Sequence, residues 1–139
     1  MSRRRNLLAV LILVILVAVA AAAGLLLRPS GPGAPAGEPL YLLVTAGNTT
    51  WAPIPLEEEN TLTLAQGEDT VNVIHLTPVS VWMESSTCEN QDCVEQGVVT
   101  AENRNLRALG NAIICLPHKV LVELFTAPEL EAMGFKPEE

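Results

Sequence analysis

The sequence predicts a mainly β protein, in which a small sandwich or barrel-like domain follows one N-terminal transmembrane helix. Two observations carry this prediction. Residues 7–27 consist only of Leu, Val, Ile, Ala and Gly, a run long enough to cross a bilayer as a helix. After residue 40, short apolar runs alternate with turns that contain Pro or Gly, a pattern typical of strands in a small all-β domain.

The charges that flank the apolar run predict its direction. Residues 1–6 include Arg3, Arg4 and Arg5, whereas Arg28 is the first cation after the run. The positive-inside rule therefore predicts a single-pass membrane protein with residues 1–6 in the cytoplasm and the C-terminal domain outside. Small residues at 18–23 leave a cleaved signal peptide as the alternative.

Composition divides the rest of the chain into three parts. Residues 28–39 are rich in Pro and Gly and predict a linker, residues 40–135 form the expected β domain, and residues 136–139 form a short acidic tail. From residue 28 onward, the chain contains five basic and sixteen acidic residues, which gives a net charge of −11. A domain this acidic repels phosphate backbones, so we expect no nucleic-acid partner.

The apolar runs predict individual strands. They lie at residues 41–45, 61–64, 71–76, 79–84, 112–116 and 119–125. Residues 51–56 contain Pro53 and Pro55, which restrict that segment to an edge strand or an irregular path. Residues 101–109 are the one stretch of the domain for which the spacing of Leu106 and Leu109 predicts a helix.

Two blocks of sequence contain the three cysteines and one of the two histidines. The first, residues 88–97, reads C-x2-Q-x-C-V-x2-G, and the second, residues 114–120, reads I-C-L-P-H-K-V. In this order the blocks resemble the NusG domain II-like family of small β domains, which often follow one N-terminal membrane segment. The resemblance covers roughly residues 41–125 and none of the polymerase-binding part of NusG. It implies the β fold and the anchor but no particular activity.

Three interpretations of the cysteines remain open. In an oxidising compartment cysteines tend to pair, and Cys88–Cys93 is favoured over pairs with Cys115 because a tight turn can bring the first two together. Cys88, Cys93, Cys115 and His118 also match the Cys3His set that binds zinc. Thirdly, His118 lies three residues after Cys115 and would lower the pKa of that thiol if the side chains meet, as in thiol redox sites.

Known catalytic motifs are missing from the sequence. It contains no Gly-rich phosphate loop, no G-x-S-x-G and no H-E-x-x-H, so we expect neither an enzyme nor a bound cofactor. The leading hypothesis is a non-enzymatic binding or assembly module that meets a protein partner in the cell envelope. The alternative is a thiol-redox or metal-binding accessory domain that uses Cys88, Cys93, Cys115 and His118.

Overall fold

The computed structural model describes residues 14–15 and 37–137. The chain divides into two units, residues 1–31 and 32–139. In the first unit Val14 and Ile15 are helical; the rest of the predicted span 7–27, its basic flank 1–6 and linker residues 28–36 lie outside the described residues. Within the part that is described, no helix has the length and apolar character needed to cross a membrane.

Nine strands of the second unit form two antiparallel sheets. The first sheet contains β1 (Leu40–Ala46), β2 (Thr49–Thr50), β3 (Ile54–Pro55), β8 (Ala112–Cys115) and β9 (Val120–Thr126), in the order β2-β1-β9-β8 with β3 also paired to β1. The second contains β4 (Asn60–Ala65), β5 (Val71–Thr77), β6 (Ser80–Ser86) and β7 (Val99–Thr100), in that order. The expected β class is confirmed, but the barrel-like alternative is wrong because the strands form two separate sheets rather than one closed ring.

The two sheets share one hydrophobic core. Strand β9 shows how alternation builds it: Val120, Val122 and Leu124 are buried, while the residues between them are only partly covered. From β5, Ile74 and Leu76 enter the same core. Each fully buried Val, Leu or Ile contributes about 1.5–3 kcal/mol to the stability of the fold. This alternation therefore fixes which face of each strand turns inward.

The helix expected at residues 101–109 is wrong, since that segment consists of turns. Leu106 is 86% exposed and Leu109 is 42% exposed, so the segment has no apolar face to bury. At its start, the Asn103 side chain accepts a hydrogen bond from the Thr100 N–H and the Asn103 N–H donates to the Thr100 hydroxyl. These two bonds close one turn at residues 100–103, but without a buried apolar face the segment does not continue as a helix.

Two short helices occur where the sequence predicted none. Helix α1 (Asp92–Glu95) contains Cys93, and helix α2 (Ala127–Ala132) follows β9 directly. A capping box between Thr126 and Glu129 begins α2. Arg104, which is buried in the turn segment, donates to Glu129 at 2.6 Å. This ion pair attaches residues 101–111 to the C-terminal helix.

Candidate functional site: a cluster of three cysteines

Three separate parts of the fold each contribute one cysteine to the same place. Cys88 follows β6 of the second sheet, Cys93 lies in α1, and Cys115 is the last residue of β8 in the first sheet. The three sulfur atoms lie within 4.8 Å of one another, and Cys88 Sγ and Cys93 Sγ are 3.6 Å apart. All three residues are buried, with 4% or less of their surface exposed. We call this group the three-cysteine cluster.

The first sequence block folds into a turn that places Cys93 next to Cys88. Gln91 adopts a left-handed backbone conformation with φ of 55°. Its side-chain amide donates to the Ser86 carbonyl at 2.8 Å and also to the Cys88 carbonyl. Gly97, with φ of 73°, follows α1 in a conformation that glycine adopts without strain. Gln91 therefore shapes the turn between Cys88 and Cys93, and Gly97 allows the chain to leave the helix that follows.

Gln96 fixes α1 against the edge of the first sheet. Its side chain donates to the Ile114 carbonyl at 2.7 Å and accepts from the Ile114 N–H at 2.8 Å, as a neighbouring strand would. Arg107 then donates to the Gln96 carbonyl at 2.9 Å. Because Ile114 precedes Cys115, this pairing holds Cys93 and Cys115 side by side.

A polar bridge made of Asn72, Ser86 and His118 borders the cluster. His118 Nδ1 lies 2.7 Å from Asn72 Oδ1 and 3.4 Å from Ser86 Oγ. Ser86 Oγ in turn lies 3.9 Å from Cys115 Sγ and accepts from the Cys88 N–H at 3.2 Å. The histidine is thus linked to the sulfurs through a serine hydroxyl.

Asn72 and Ser86 were not predicted as site residues from the sequence, although the position of Asn72 in its strand was an indication. Asn72 occupies the same strand face as Ile74 and Leu76 and is fully buried. A polar residue in an otherwise apolar inward series requires hydrogen-bond partners, and here it finds Ser86 at 3.0 Å and His118. Those partners are 14 and 46 residues away along the chain, so no local pattern identifies them.

The surroundings shift the pKa values of two of the thiols in opposite directions. Burial, together with the neighbouring thiols of Cys115 and Cys88, raises the pKa of Cys93 to about 12. Burial also opposes ionisation of Cys88, but hydrogen bonds with Ser86, Cys93 and Gln91 outweigh it and lower the pKa of Cys88. Within this close pair, Cys88 is therefore the thiol that ionises more readily.

The disulfide predicted between Cys88 and Cys93 is not formed in this structure. All three cysteines are free thiols, and the 3.6 Å between Cys88 Sγ and Cys93 Sγ exceeds the roughly 2.05 Å of an S–S bond. The predicted proximity of Cys88 and Cys93 is correct, since their side chains are neighbours. Cys115 joins them, so each of the three pairings considered from the sequence lies within reach.

The three sulfurs could bind a metal ion as three ligands, but His118, the fourth ligand that the sequence suggested, does not join them. His118 is not among the ligand atoms that converge, because its Nδ1 faces Asn72 and Ser86. Structural zinc sites almost always use four ligands, whereas thiolates as a class suit soft ions such as Cu(I). The Cys3His set is therefore not assembled here, while a three-sulfur site is.

A pocket lies beside Cys93 and Cys115. It has a volume of about 150 Å³ and is lined mostly by apolar atoms. Its walls include Asp92, Cys93, Gln96, Leu109, Cys115 and Leu116. Leu109 and Leu116 are 42% and 78% exposed, so the rim of the pocket reaches the protein surface. We call it the Cys115 pocket.

The other histidine belongs to a different part of the molecule. The His75 ring stacks on Trp82 with their centroids 4.1 Å apart. Its Nε2 lies 3.0 Å from a carboxylate oxygen of Glu59, and its Nδ1 lies 3.5 Å from one of Glu84. The His75 side chain is mostly buried on β5, with 19% of its surface exposed, and pairs with these groups rather than with the cysteines.

These features define a class: a two-sheet β domain with a buried group of thiols where the end of β6, the end of the edge strand β8 and a short helix meet. The chain belongs to the NusG domain II family, whose sequence profile matches residues 8–127. The predicted family membership is thereby confirmed. No curated protein matches the chain.

Solved structures with the same fold include proteins from Listeria innocua and Enterococcus faecalis. The crystal structure of the Lin0431 protein from Listeria innocua is 20% identical, with a TM-score of 0.52, and covers 64% of this chain and 98% of its own. Its solution NMR structure is 21% identical, with a TM-score of 0.53, and covers 66% of this chain and 77% of its own. A DUF1312 family protein from Enterococcus faecalis V583 is 14% identical, with a TM-score of 0.53, and covers 63% and 98%. At these identities the likeness establishes the fold alone.

Proposed function

We propose that this chain is an accessory protein of the cell envelope whose three-cysteine cluster undergoes reversible dithiol–disulfide exchange. The observation that carries the proposal is the convergence of three buried sulfurs within 4.8 Å. Two thiols at this range can bond after small side-chain rotations, and the third is then placed to attack the new bond. A cluster of two would lack that third reactant.

The exchange balances as a two-electron reaction. Two cysteine thiols lose two electrons and two protons and gain one S–S bond. The S–S bond of a partner disulfide breaks, and its two sulfurs accept the electrons and protons to become thiols. The domain would act stoichiometrically in this exchange, as a non-enzymatic accessory rather than a catalyst with its own turnover.

The proposed location supports this chemistry. We infer that residues 7–27 anchor the chain in the membrane, with residues 1–6 in the cytoplasm and the β domain outside. The arginines before the apolar run favour this direction, and the family match begins at residue 8, inside that run. Disulfides form and persist outside the cytoplasm, so this location would allow the cluster to oxidise.

The test is a redox titration of the full-length protein in detergent micelles. Free thiols are counted by alkylation and intact mass across a series of thiol–disulfide buffers. We expect a reversible loss of two thiols per chain at a potential between roughly −300 and −120 mV. A potential well below that range would identify a structural staple, and three thiols that stay free in every buffer would exclude the proposal.

Cys→Ser variants at positions 88, 93 and 115 serve as matched controls. Because every pair of sulfurs lies within reach, each variant retains one possible pair. We expect all three variants to lose the exchange of one disulfide for another while keeping the ability to oxidise once. Peptide mapping of the oxidised wild type is expected to show Cys88–Cys93 as the final linkage, because these two sulfurs are 3.6 Å apart.

Metal binding is the competing use of the same sulfurs. Elemental analysis of protein purified under reducing conditions tests it, followed by titration with Cu(I) and Zn²⁺. One tightly bound ion per chain, which protects all three thiols from alkylation until a chelator is added, would favour a metal centre over exchange.

A second candidate function is the binding or assembly role that the sequence favours, and one surface supports it. A groove of about 390 Å³ is lined by Val44, Trp51, Ala52, Ile54, Leu62, Thr63 and Leu64, and we call it the Trp51 groove. Trp51 is 41% exposed there. Strand β4, which lines the groove, is an edge strand paired only with β5 among the described strands. The occupant we propose is an extended segment of an envelope protein that adds to β4 as a further strand.

Site-specific photo-crosslinking in whole cells tests this second function. A photoreactive side chain replaces Leu62 in the groove, and Leu106 on the remote turn segment provides the control position. We expect one discrete adduct from position 62 that is absent from position 106 and that weakens when Trp51→Ala is added. Equal labelling at both positions would exclude the groove as a specific site.

A further inference from the structure

We propose that the Ser86 hydroxyl is a fixed hydrogen-bond donor to the three-cysteine cluster and stabilises the thiolate on which dithiol–disulfide exchange depends. This inference rests on the proposed exchange function and adds a residue that no cysteine motif identifies. Asn72 and His118 are positioning residues, because their own hydrogen bonds leave the sulfurs as the acceptors for the serine hydrogen.

The orientation of the Asn72 amide is set by the different needs of its two ends. Asn72 is fully buried, so its amide nitrogen and its amide oxygen both require partners. The nitrogen lies 3.0 Å from Ser86 Oγ and 3.6 Å from Met83 Sδ, and both of these atoms can accept. The oxygen lies near His118 Nδ1. Exchanging the two ends would place the amide oxygen against the Met83 sulfur, which has no hydrogen to donate.

This orientation assigns the hydrogen on the His118 ring. The Asn72 oxygen can only accept, so its 2.7 Å contact with His118 Nδ1 requires a hydrogen on that nitrogen. A ring nitrogen that carries a hydrogen cannot accept another. The 3.4 Å contact between Nδ1 and Ser86 Oγ is therefore not a bond that the serine donates, and His118 does not take the serine hydrogen.

The Ser86 oxygen is already occupied as an acceptor. It accepts from the Asn72 amide at 3.0 Å and from the Cys88 N–H at 3.2 Å. A hydroxyl oxygen has two lone pairs and one hydrogen. Because these two donors occupy both lone pairs, the hydroxyl hydrogen is left to be donated to another group.

The sulfurs of the cluster are the acceptors that this hydrogen meets. Ser86 Oγ lies 3.9 Å from Cys115 Sγ, and the other two sulfurs lie within 4.8 Å of that atom. Burial opposes ionisation of Cys88, and the hydrogen bond with Ser86 is the strongest of the effects that lower its pKa. Burial raises the pKa of Cys93 to about 12, and there too the hydrogen bond with Ser86 acts in the opposite direction.

A buried thiolate needs such a donor. All three cysteines are at most 4% exposed, so water contributes little to stabilising a negative charge on sulfur. A hydrogen bond to a charged acceptor is roughly twice as strong as one between neutral groups. The hydroxyl therefore favours the thiolate, which is the form that attacks a disulfide, over the thiol. Ser86 keeps its own hydrogen and transfers no proton.

The experiment compares reduced full-length wild type in detergent with Ser86→Ala and Ser86→Thr. Each cysteine carries carbon-13 at Cβ, and the NMR shift of this carbon, which differs between thiol and thiolate, is followed through a pH titration. We expect Ser86→Ala to move the first thiolate to a higher pH by about one unit or more, a tenfold smaller thiolate fraction. Ser86→Thr keeps a hydroxyl and is expected to titrate near the wild type.

Ser85→Ala is the matched control, because Ser85 is exposed on the same strand and its loss is expected to leave the titration unchanged. Thermal melting shows whether each variant remains folded. A folded Ser86→Ala protein with the wild-type titration would overturn the proposal, since the hydroxyl would then donate to solvent. A Ser86→Thr protein that titrates like Ser86→Ala would also overturn it, because the hydroxyl would not be the cause.

The wild type alone tests the assigned hydrogen on His118. Nitrogen-15 NMR of the neutral ring distinguishes the two nitrogens, and we expect the hydrogen on Nδ1. A bare Nδ1 would overturn the proposal, because Ser86 would then donate to the histidine. These measurements need no disulfide, so the two failures are distinct. If no thiol–disulfide buffer oxidises the wild type, the proposed function fails; if it oxidises reversibly and Ser86→Ala titrates like the wild type, only this inference fails.

Discussion

Ser86 joins groups that lie far apart in the sequence. Its hydroxyl contacts the Asn72 amide at 3.0 Å, the Cys88 N–H at 3.2 Å and His118 Nδ1 at 3.4 Å. Asn72 is fully buried. If one of its polar atoms loses its hydrogen-bond partner, the desolvation of that atom is no longer compensated and the fold is destabilised. The polar bridge therefore holds the β8–β9 turn, which carries His118, against the end of β6.

Replacing Ser86 by alanine is expected to lower the free energy of unfolding by about 1–2 kcal/mol, because buried partners are left unpaired. Ser85→Ala is the matched control, since Ser85 is exposed on the same strand and no change above about 0.5 kcal/mol is expected there. Urea denaturation of both variants measures the difference. Equal stabilities would mean that the bridge is not maintained in solution.

Glu129 gives the domain a pH-dependent contribution to stability. Partial burial alone would raise the pKa of its carboxyl, but hydrogen bonds from Arg104 and from the Thr126 hydroxyl and N–H lower it. A carboxyl with a lowered pKa stabilises the fold above its unfolded value of about 4.3, and this contribution is lost as the pH falls through the folded pKa.

Glu129→Gln is therefore expected to lower the free energy of unfolding at neutral pH, and this loss is expected to be smaller at acidic pH. The expected loss at pH 7 is about 1–3 kcal/mol, near the lower end because the Glu129 side chain is 42% exposed and its charge is partly screened. Denaturation from pH 7 to pH 3 measures how the difference from wild type shrinks. Glu131→Gln, at an exposed position of the same helix, provides the control, and a pH-independent difference would contradict this explanation.

At the scale of elements, the Gln96 side chain substitutes for a strand at the free edge of β8. Gln96→Ala is expected to cost about 1–2 kcal/mol, because the Ile114 N–H and carbonyl both lose a partner. Hydrogen exchange of the Ile114 amide is expected to accelerate more than exchange in β1, since the loss is local. Glu95→Ala, exposed on the same helix, is the control; unchanged protection at Ile114 would show that the pairing is not maintained in solution.

The elements divide into those that local sequence predicts and those that it does not. Strands β1, β5, β6 and β9 were predictable because apolar alternation or a continuous apolar run reports directly on burial. The turn segment at 101–111 was not, because its conformation depends on Arg104 reaching Glu129, 25 residues later. Helix α2 had a local signal in Thr126-x-x-Glu129 with Pro128, which the strong acidity of the tail obscured.

The candidate site divides in the same way. Spacing predicted that Cys88 and Cys93 would be neighbours, because a tight turn can bring together two residues five positions apart. The place of Cys115 depends on the two sheets sharing one core, which brings the end of β8 to the end of β6. The sequence offered His118 as a metal ligand or as a neighbour that lowers the pKa of Cys115, but its Nδ1 binds Asn72 instead.

At the scale of the whole molecule, the proposed chemistry depends on the side of the membrane that the domain occupies. A thiol cluster in a reducing compartment stays reduced, whereas the same cluster outside meets oxidants. The arginine group at 3–5, compared with the single Arg28 just after the apolar run, agrees with the outward direction. Topology is therefore the property of the whole chain that most affects what the cysteines do.

Labelling of engineered cysteines with a membrane-impermeant maleimide tests that topology. Leu106→Cys places a thiol at a position that is 86% exposed in the β domain, while Ser2→Cys places one before the apolar run. We expect intact cells to label position 106 but not position 2, and lysed cells to label both. The wild type supplies the background, because its three thiols are buried. Labelling of position 2 alone would place the domain in the cytoplasm, where reduced thiols would make metal binding the better explanation of the cluster.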